Sequence, residues 1–354
     1  MKTYTKSLMA GALMALVALP TISGAAEFKL TASSSHPPKI PWIKTIKDHV
    51  VPQAAKRAKT LGHTIKWTEA YGGVLYNFKN TLEGIQDGLG DIGWVGTLWE
   101  PNKLPLQNLT FAIPFVTGNV KLIAGIENDL HRTIPAMSQA FLKHNQVYLG
   151  PHAIDDFVLI STTPINSVAD LKGKKFYAPG ASSAWLKGTG AIGVNGGLTV
   201  MYNGIKTGVA QGAILPITGI LPFKLHEVAP YVIQAGLGGG MTGALTMNKD
   251  TYDKLPPEMQ KMFQALGKEY GVIVSKRVSG FASVALNKML PKAGAKVSSL
   301  PLEERKKWAV GLPNLAKDWV GRMKARGLPG EEVLKKYMAA VRAAGEKPLR
   351  DWDK

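Results

Sequence analysis

The sequence predicts an α/β protein, and three stretches carry that prediction. In INSVADLKGKKFYAPG, Ser167 or Asp170 caps a turn, Asp170-Leu171-Lys172-Gly173 reverses the chain, and Lys175 to Ala178 is a strand ended by Pro179-Gly180. In MYNGIKTGVAQGAILP a helix leads into an apolar strand near Leu215, and EGIQDGLGDIGWVG repeats the helix-turn-strand order earlier in the chain. Strands alternating with helices make open sheets whose ligands sit where loops leave the carboxyl ends of the strands, which places Tyr177 and Leu215 beside a crevice.

Glu27 to Ser34 alternates as a first strand, and Pro41 to Leu61 is a helix with Trp42, Ile43, Ile46, Val50, Ala54 and Ala58 at helical spacing. Thr64 to Trp67 is a strand, Thr81 to Leu89 a helix, and Asp91 to Val95 a buried strand. A proline-bounded apolar stretch, Leu104 to Phe115, precedes helices at Asn119 to His131 and Ile134 to Lys143. Val147 to Gly150 and Phe157 to Thr162 are strands, and a helix can start at Ala181 to Ser183. Gly236 to Gly240 reads as a flexible connection, followed by a strand at Ala244 to Met247. Pro257, favourable in a first turn, opens a helix to about Leu290, long enough to bridge two lobes. Val297 to Leu300 is a last strand, and the rest is helical apart from breaks at Gly311-Leu312-Pro313 and Gly327 to Gly330.

The composition, 45% hydrophobic and 19% charged over 354 residues, is that of a globular protein with substantial cores. Zero cysteine excludes disulfides, thiolate nucleophiles and cysteine metal sites. Lys2 and Lys6, the apolar run Ser7 to Leu19, Pro20 and the small residues Ser23 to Ala26 read as a signal peptide over 1–26, giving an exported, periplasmic protein with no membrane span after cleavage. The formal charge is +18, and +16 without Lys2 and Lys6. Its clusters, Arg305-Lys306-Lys307 and Lys335-Lys336, lie beside Glu303-Glu304 and Glu331-Glu332, so they read as solvated helix faces and not as a nucleic-acid patch.

No histidines pair at metal-ligand spacing, the glycine run is no dinucleotide fingerprint, and no triad or nucleophile elbow appears. The expectation is no metal, no cofactor and no catalytic residue.

Taken together, IQDGLGDIGWV, FAIPFV, INSVADLKGKKFYAPG, GIKTGVAQGAILPITGILPFKLHEVAPYV and LPPEMQKMF resemble the DctP-type extracytoplasmic solute-binding proteins of TRAP transporters, in the family's order and over nearly the whole chain after residue 26. The resemblance implies a two-lobed periplasmic-binding-protein fold with crossing strands and a long bridging helix. It implies lobe I at 27–154 plus about 243–282, lobe II at about 155–242 plus 283–336, and a helical tail at 337–354. A solute would be trapped between the lobes and handed to the small and large membrane subunits of a TRAP permease.

Members of that family usually place an arginine after the turn-strand unit, where it clamps a carboxylate in a bidentate pair. Tyr177 stands there in this chain, Phe157 and Leu215 replace other polar contacts, and Gly96 stands at a further polar position. One tyrosine hydroxyl cannot repeat that salt bridge, so a small dicarboxylate would be buried without its counter-charge. The expected cleft is aromatic instead. Candidate ligand-binding residues are Tyr177, Phe157, Leu215, Trp94, Trp99 and Trp185, with Asn77, Ser33 and His36 as polar groups. Core packing is the competing use for each aromatic, Trp94 above all, and a surface loop the competing place for His36. An aromatic or bulky apolar organic acid fits this set. A cationic or zwitterionic amine held against aromatic faces, with Glu100, Asp155 and Asp156 as counter-charges, remains open, as do a secreted enzyme and a polyanion-binding protein.

Overall fold

The structure is a computed structural model and describes residues 26–354; the expected signal peptide lies outside the described residues except for Ala26. The strands are β1 (Glu27–Ser33), β2 (Thr64–Ala70), β3 (Ile92–Val95), β4 (Gln146–Ile154), β5 (Phe157–Ser161), β6 (Lys175–Tyr177), β7 (Ile192–Val194), β8 (Gly212–Pro216), β9 (Tyr231–Gln234), β10 (Gly240–Asn248) and β11 (Lys296–Ser299). They form a five-stranded sheet of order β2-β1-β3-β10-β4 and a six-stranded sheet of order β11-β9-β5-β8-β6-β7. β1 pairs in parallel with β2 and β3, β10 runs antiparallel to β3 and β4, and β5 runs antiparallel to β8 and β9.

The chain passes between the sheets at Asp155-Asp156, returns at 235–239, and crosses once more through the long helix Pro257–Val284. Both strand crossings are hydrogen-bonded rather than loose. Phe157 N–H donates to Gly238 O, Gly239 N–H to Thr117 O and Phe115 N–H to Leu237 O. The glycine run expected as a flexible connection is thus threaded through a ladder of backbone bonds, with Gly238 at a φ of 96° that favours glycine.

Two helices run on through prolines that should end them. Pro41–Thr45, Ile46–Val50 and Val51–Thr60 form one rod whose middle turn is of π type, with Val51 N–H bonded to Ile46 O five residues back. The long helix does the same at Ala285–Met289, where Leu290 N–H reaches Ala285 O. A proline follows directly in each case, Pro52 and Pro291. The wide turn absorbs the missing N–H and the ring's steric demand one turn earlier, so the helix continues.

β4 is longer than its sequence suggests. Pro151 reads as a strand end, yet the strand runs through it to Ile154. β4 is an edge of its sheet, where one face of the backbone needs no ladder partner, so proline is tolerated. The extension carries His152.

The long helix spans both cores. Met259, Phe263, Leu266, Tyr270 and Val274 are buried in the core shared with the first sheet, and Ala282 and Ala285 in that of the second. Against β4 it packs backbone to backbone: a Cβ on Gly267 would overlap Leu149 O, and one on Gly150 would overlap Gly267 O. The C-terminal helices Leu315–Ala325 and Gly330–Ala343 pack on Leu109–Ala112 and Val120–Thr133, which belong to the first lobe's part of the chain. Trp319 and Trp352 pin this segment by donating to Pro105 O and Pro114 O. The part of 283–336 from Leu315 onward, expected in lobe II, therefore rests largely on the first lobe.

Because backbone cannot yield, Gly267→Ala should cost about 2 kcal/mol of stability, read as a lower urea midpoint; an unchanged midpoint would mean that the helix can lift off β4.

Candidate functional site

A cavity of about 220 Å³ lies where the two sheets meet. The first lobe supplies Ser35, His36 and Pro37 from the loop after β1, Trp42 from the helix that follows, and Trp94, Leu98 and Trp99 from β3 and its turn. His152 and Ile154 come from the end of β4, and Thr242 from the start of β10. The second lobe closes it with Phe157, Pro179, Leu198, Leu215, Pro216 and Phe223. The carboxyl ends of β1, β3 and β8 all point here, as expected for an open α/β sheet.

The lobes touch across the opening at two glycines. Gly180, at a φ of 57°, approaches Leu98 O, and a Cβ on Gly197 would meet Phe78 at 3.0 Å and Trp99 at 3.4 Å. Gly96 has a similar cause: a side chain there would strike Trp94 at 2.9 Å and Trp99 at 3.0 Å. Indole rings fill the space that a polar residue at this position would need.

The first-lobe wall is a cluster of two tryptophans and two histidines. His36 meets Trp94 edge to face at 5.0 Å between centroids, and His152 lies 5.0 Å from Trp42 and 5.6 Å from Trp94. Trp94 Nε1–H donates to His152 Nδ1 at 2.9 Å, and Thr242 Oγ1 lies 3.3 Å from the same nitrogen. His36 Nδ1 lies 2.9 Å from Ser35 Oγ, and its backbone N–H donates to Ser34 Oγ. Burial holds the His36 imidazole down to about 4. Burial, with a smaller contribution from His36, holds His152 down to about 3. Both rings are therefore neutral at neutral pH. His152 Nε2 and Trp42 Nε1 are buried and have no hydrogen-bond partner. No Asp, Glu, Lys or Arg is among the residues lining the cavity.

Of the residues expected from the sequence, the structure brings Phe157, Leu215, His36, Trp94 and Trp99 into the wall. The other four lie outside it. Tyr177 turns to the face of β6 covered by the helix Leu198–Lys206, where Gly204 and Gly196 make room for its ring. Ser33 is buried one turn behind the wall, its Oγ 2.8 Å from Tyr76 Oη. Asn77 is exposed and its side chain accepts the Lys79 N–H, capping the turn Phe78–Asn80. Trp185 stands behind Phe157: it meets that ring edge-on at 5.1 Å, stacks on Phe111, and donates its Nε1–H to Phe111 O.

Trp42, Phe78 and His152 were not legible as site residues. Trp42 fits its helix's apolar stripe, and His152 sits beyond the proline that reads as a strand end.

The acids that would serve an amine are placed elsewhere. Asp155 accepts from Thr218 Oγ1 at 2.6 Å and Thr218 N–H at 3.2 Å, and Asp156 accepts from Gly238 N–H at 2.6 Å. They pin the crossing segments to each other and to the second lobe. Burial pushes Asp155 up to about 7 and Asp156 to about 6, against the lowering effect of these bonds. Glu100, also pushed up by burial, lies 3.6 Å from Lys103. None of the three lines the cavity.

Two α/β lobes with crossing strands, a bridging helix and a cavity at their junction define a solute-binding protein. The chain belongs to the bacterial extracellular solute-binding proteins, family 7 (DctP), whose family model matches residues 49–320. A solute-binding protein from Albidiferax ferrireducens is 30% identical over 156 residues, a match that spans 41% of this chain and 44% of that protein, so less than half of that relative's length. Among solved structures, a TRAP solute-binding protein from Rhodoferax ferrireducens T118 in complex with copurified benzoate has a TM-score of 0.77 at 20% identity, covering 90% of this chain and 98% of that one. A marine-metagenome TRAP solute-binding protein specific for aromatic acid ligands, in complex with 3-hydroxybenzoate, has a TM-score of 0.78 at 23% identity, covering 90% and 99%. At these identities the two structures establish the shared two-lobed fold.

The crossing acids give a pH dependence with a definite sign. Asp155, raised in the folded state to about 7, contributes stability that is complete below its unfolded value and is lost as pH rises through 7. Asp155→Asn should therefore gain stability relative to the wild type between pH 5 and pH 8, by at most about 1.4 kcal/mol per pH unit. Urea unfolding of both proteins across that range checks it; a constant difference would show that Asp155 stays ionised throughout.

Proposed function

We propose that this protein captures a small aromatic or otherwise bulky apolar organic acid in the periplasm, after export directed by residues 1–26, and delivers it to the small and large membrane subunits of a TRAP-type transporter. The carrying observation is the cavity itself: about 220 Å³, walled by Trp42, Trp94, Trp99, Phe78 and Phe157, with no charged side chain in the wall. A dry apolar cavity of about 150 Å³ holds benzene, so a single aromatic ring with a short polar group matches this space.

Aromatic faces reward a ring through burial and stacking. A four-carbon dicarboxylate would bring two charges and little apolar surface, and would lose its hydration without a cationic partner. The single-ring acids bound by the two solved relatives support the same class of solute. Capture works by population shift, because a ligand touching both lobes binds the closed arrangement better than the open one. No helix among the described residues is long and apolar enough to cross a membrane; delivery then depends on docking to a partner.

The test is a thermal-shift panel of aromatic monocarboxylates, small dicarboxylates and aromatic amines. Benzoate-like acids at 100 times their dissociation constant should add about 2.7 kcal/mol of stability and raise the melting temperature. A shift with succinate or with benzylamine, and none with aromatic acids, would overturn the proposal.

A further inference from the structure

Resting on that reading, we propose that the acid's carboxylate is received by two neutral donors, His152 Nε2–H and Trp42 Nε1–H, so that the protein binds an anion without any cationic side chain in its site. The chemistry of the wall leads there in three steps. An indole Nε1 has a proton and no lone pair in the ring plane, so in the 2.9 Å bond to His152 it is the donor and Nδ1 is the acceptor. A neutral imidazole that accepts at Nδ1 carries its proton at Nε2. That nitrogen is buried and has no partner, and so is the Nε1 of Trp42, whose ring centroid lies 5.0 Å from that of His152.

Buried donors without acceptors are costly, and two of them belong to neighbouring side chains that line one cavity, each a small shift of its ring away from a solute there. A carboxylate supplies acceptors for both, since it is acceptor-only and has two oxygens to share. Hydrogen bonds to an ionised acceptor are roughly twice as strong as neutral ones, which offsets part of the anion's lost hydration. The same donors discriminate against amines, because an ammonium group brings more N–H groups to a surface that already has unsatisfied ones.

The titratable group that bears on His152 is His36, from the loop after β1. The other groups close to it, Trp42 on the following helix, Trp94 on β3 and Thr242 on β10, carry no charge. Burial keeps both imidazoles neutral near pH 7.

The experiment is calorimetric titration with benzoate of the wild type and of His152→Leu, His152→Gln and Trp42→Phe, each checked for an intact melting transition. His152→Leu and Trp42→Phe should each weaken benzoate about 10- to 100-fold. His152→Gln keeps an N–H donor at the same reach and should retain most of the affinity. Wild-type titrations at pH 7.5 in buffers of different ionisation enthalpy should show no net proton uptake. Wild-type affinity in both His152→Leu and Trp42→Phe would overturn the proposal, as would uptake of about one proton per benzoate, the signature of an imidazolium clamp. If His152→Leu fails to fold, Trp42→Phe and the proton count still decide. If the wild type binds neither benzoate nor 3-hydroxybenzoate but does bind benzylamine, the broader function has failed, and this assignment fails with it.

Discussion

Trp94 occupies a strand buried on both faces, and its indole N–H has to find an acceptor there or cost the fold a hydrogen bond. Its acceptor is His152, at 2.9 Å, on a strand that is not its neighbour but lies one beyond it in the sheet. β10 runs between them, and it can let the indole through only because Gly243 has no side chain: a Cβ there would collide with Trp94 Nε1. That single bond fixes the tautomer of an imidazole that lines the cavity, and the ring's other nitrogen is buried without a partner. Much of the site's chemistry follows from satisfying one buried N–H.

What lies behind the wall is close-packed. Gly267 and Gly150 bring the long helix onto β4, the strand that carries His152. On the opposite side Phe157 is backed by Trp185, which stacks on Phe111 and is itself tied to the helix Leu302–Gly311 by a bond from Trp308 Nε1 to Trp185 O. Between these walls the two strand crossings are clasped by Asp155 and Asp156. Movement of one lobe against the other must pass through these hydrogen-bonded segments, which favours a defined hinge over loose separation.

Charge is segregated. The chain is strongly basic, yet the cavity wall holds no charged side chain. The lysines of the basic clusters pair along their own helices, Lys306 with Glu303, Lys335 with Glu331 and Lys336 with Glu332, on exposed faces where such pairs contribute little, whereas Arg305 is half-buried and its charge acts on Asp156. The protein's net charge therefore does not describe the chemistry of its site. The wall offers aromatic surface and a few hydrogen-bonding groups, among them two imidazoles that burial keeps neutral.

Periodicity, turn residues and motif order are local properties of the chain, and they carried the α/β class, the long bridging helix and the family. The resemblance also set Tyr177 where an arginine is expected. Five of the nine candidate residues, His36, Trp94, Trp99, Phe157 and Leu215, came to the cavity wall. That Tyr177 faces a helix instead came only with the folded arrangement, since strand alternation sends neighbouring side chains to opposite faces and one position of register sets which. Only that arrangement extended β4 through Pro151, because a proline's tolerance depends on whether its strand lies at a sheet edge. And only it joined Trp94 to His152, 58 residues apart, across a glycine on a third strand. Unpartnered donors are a property of packing, and no local pattern in the chain records them.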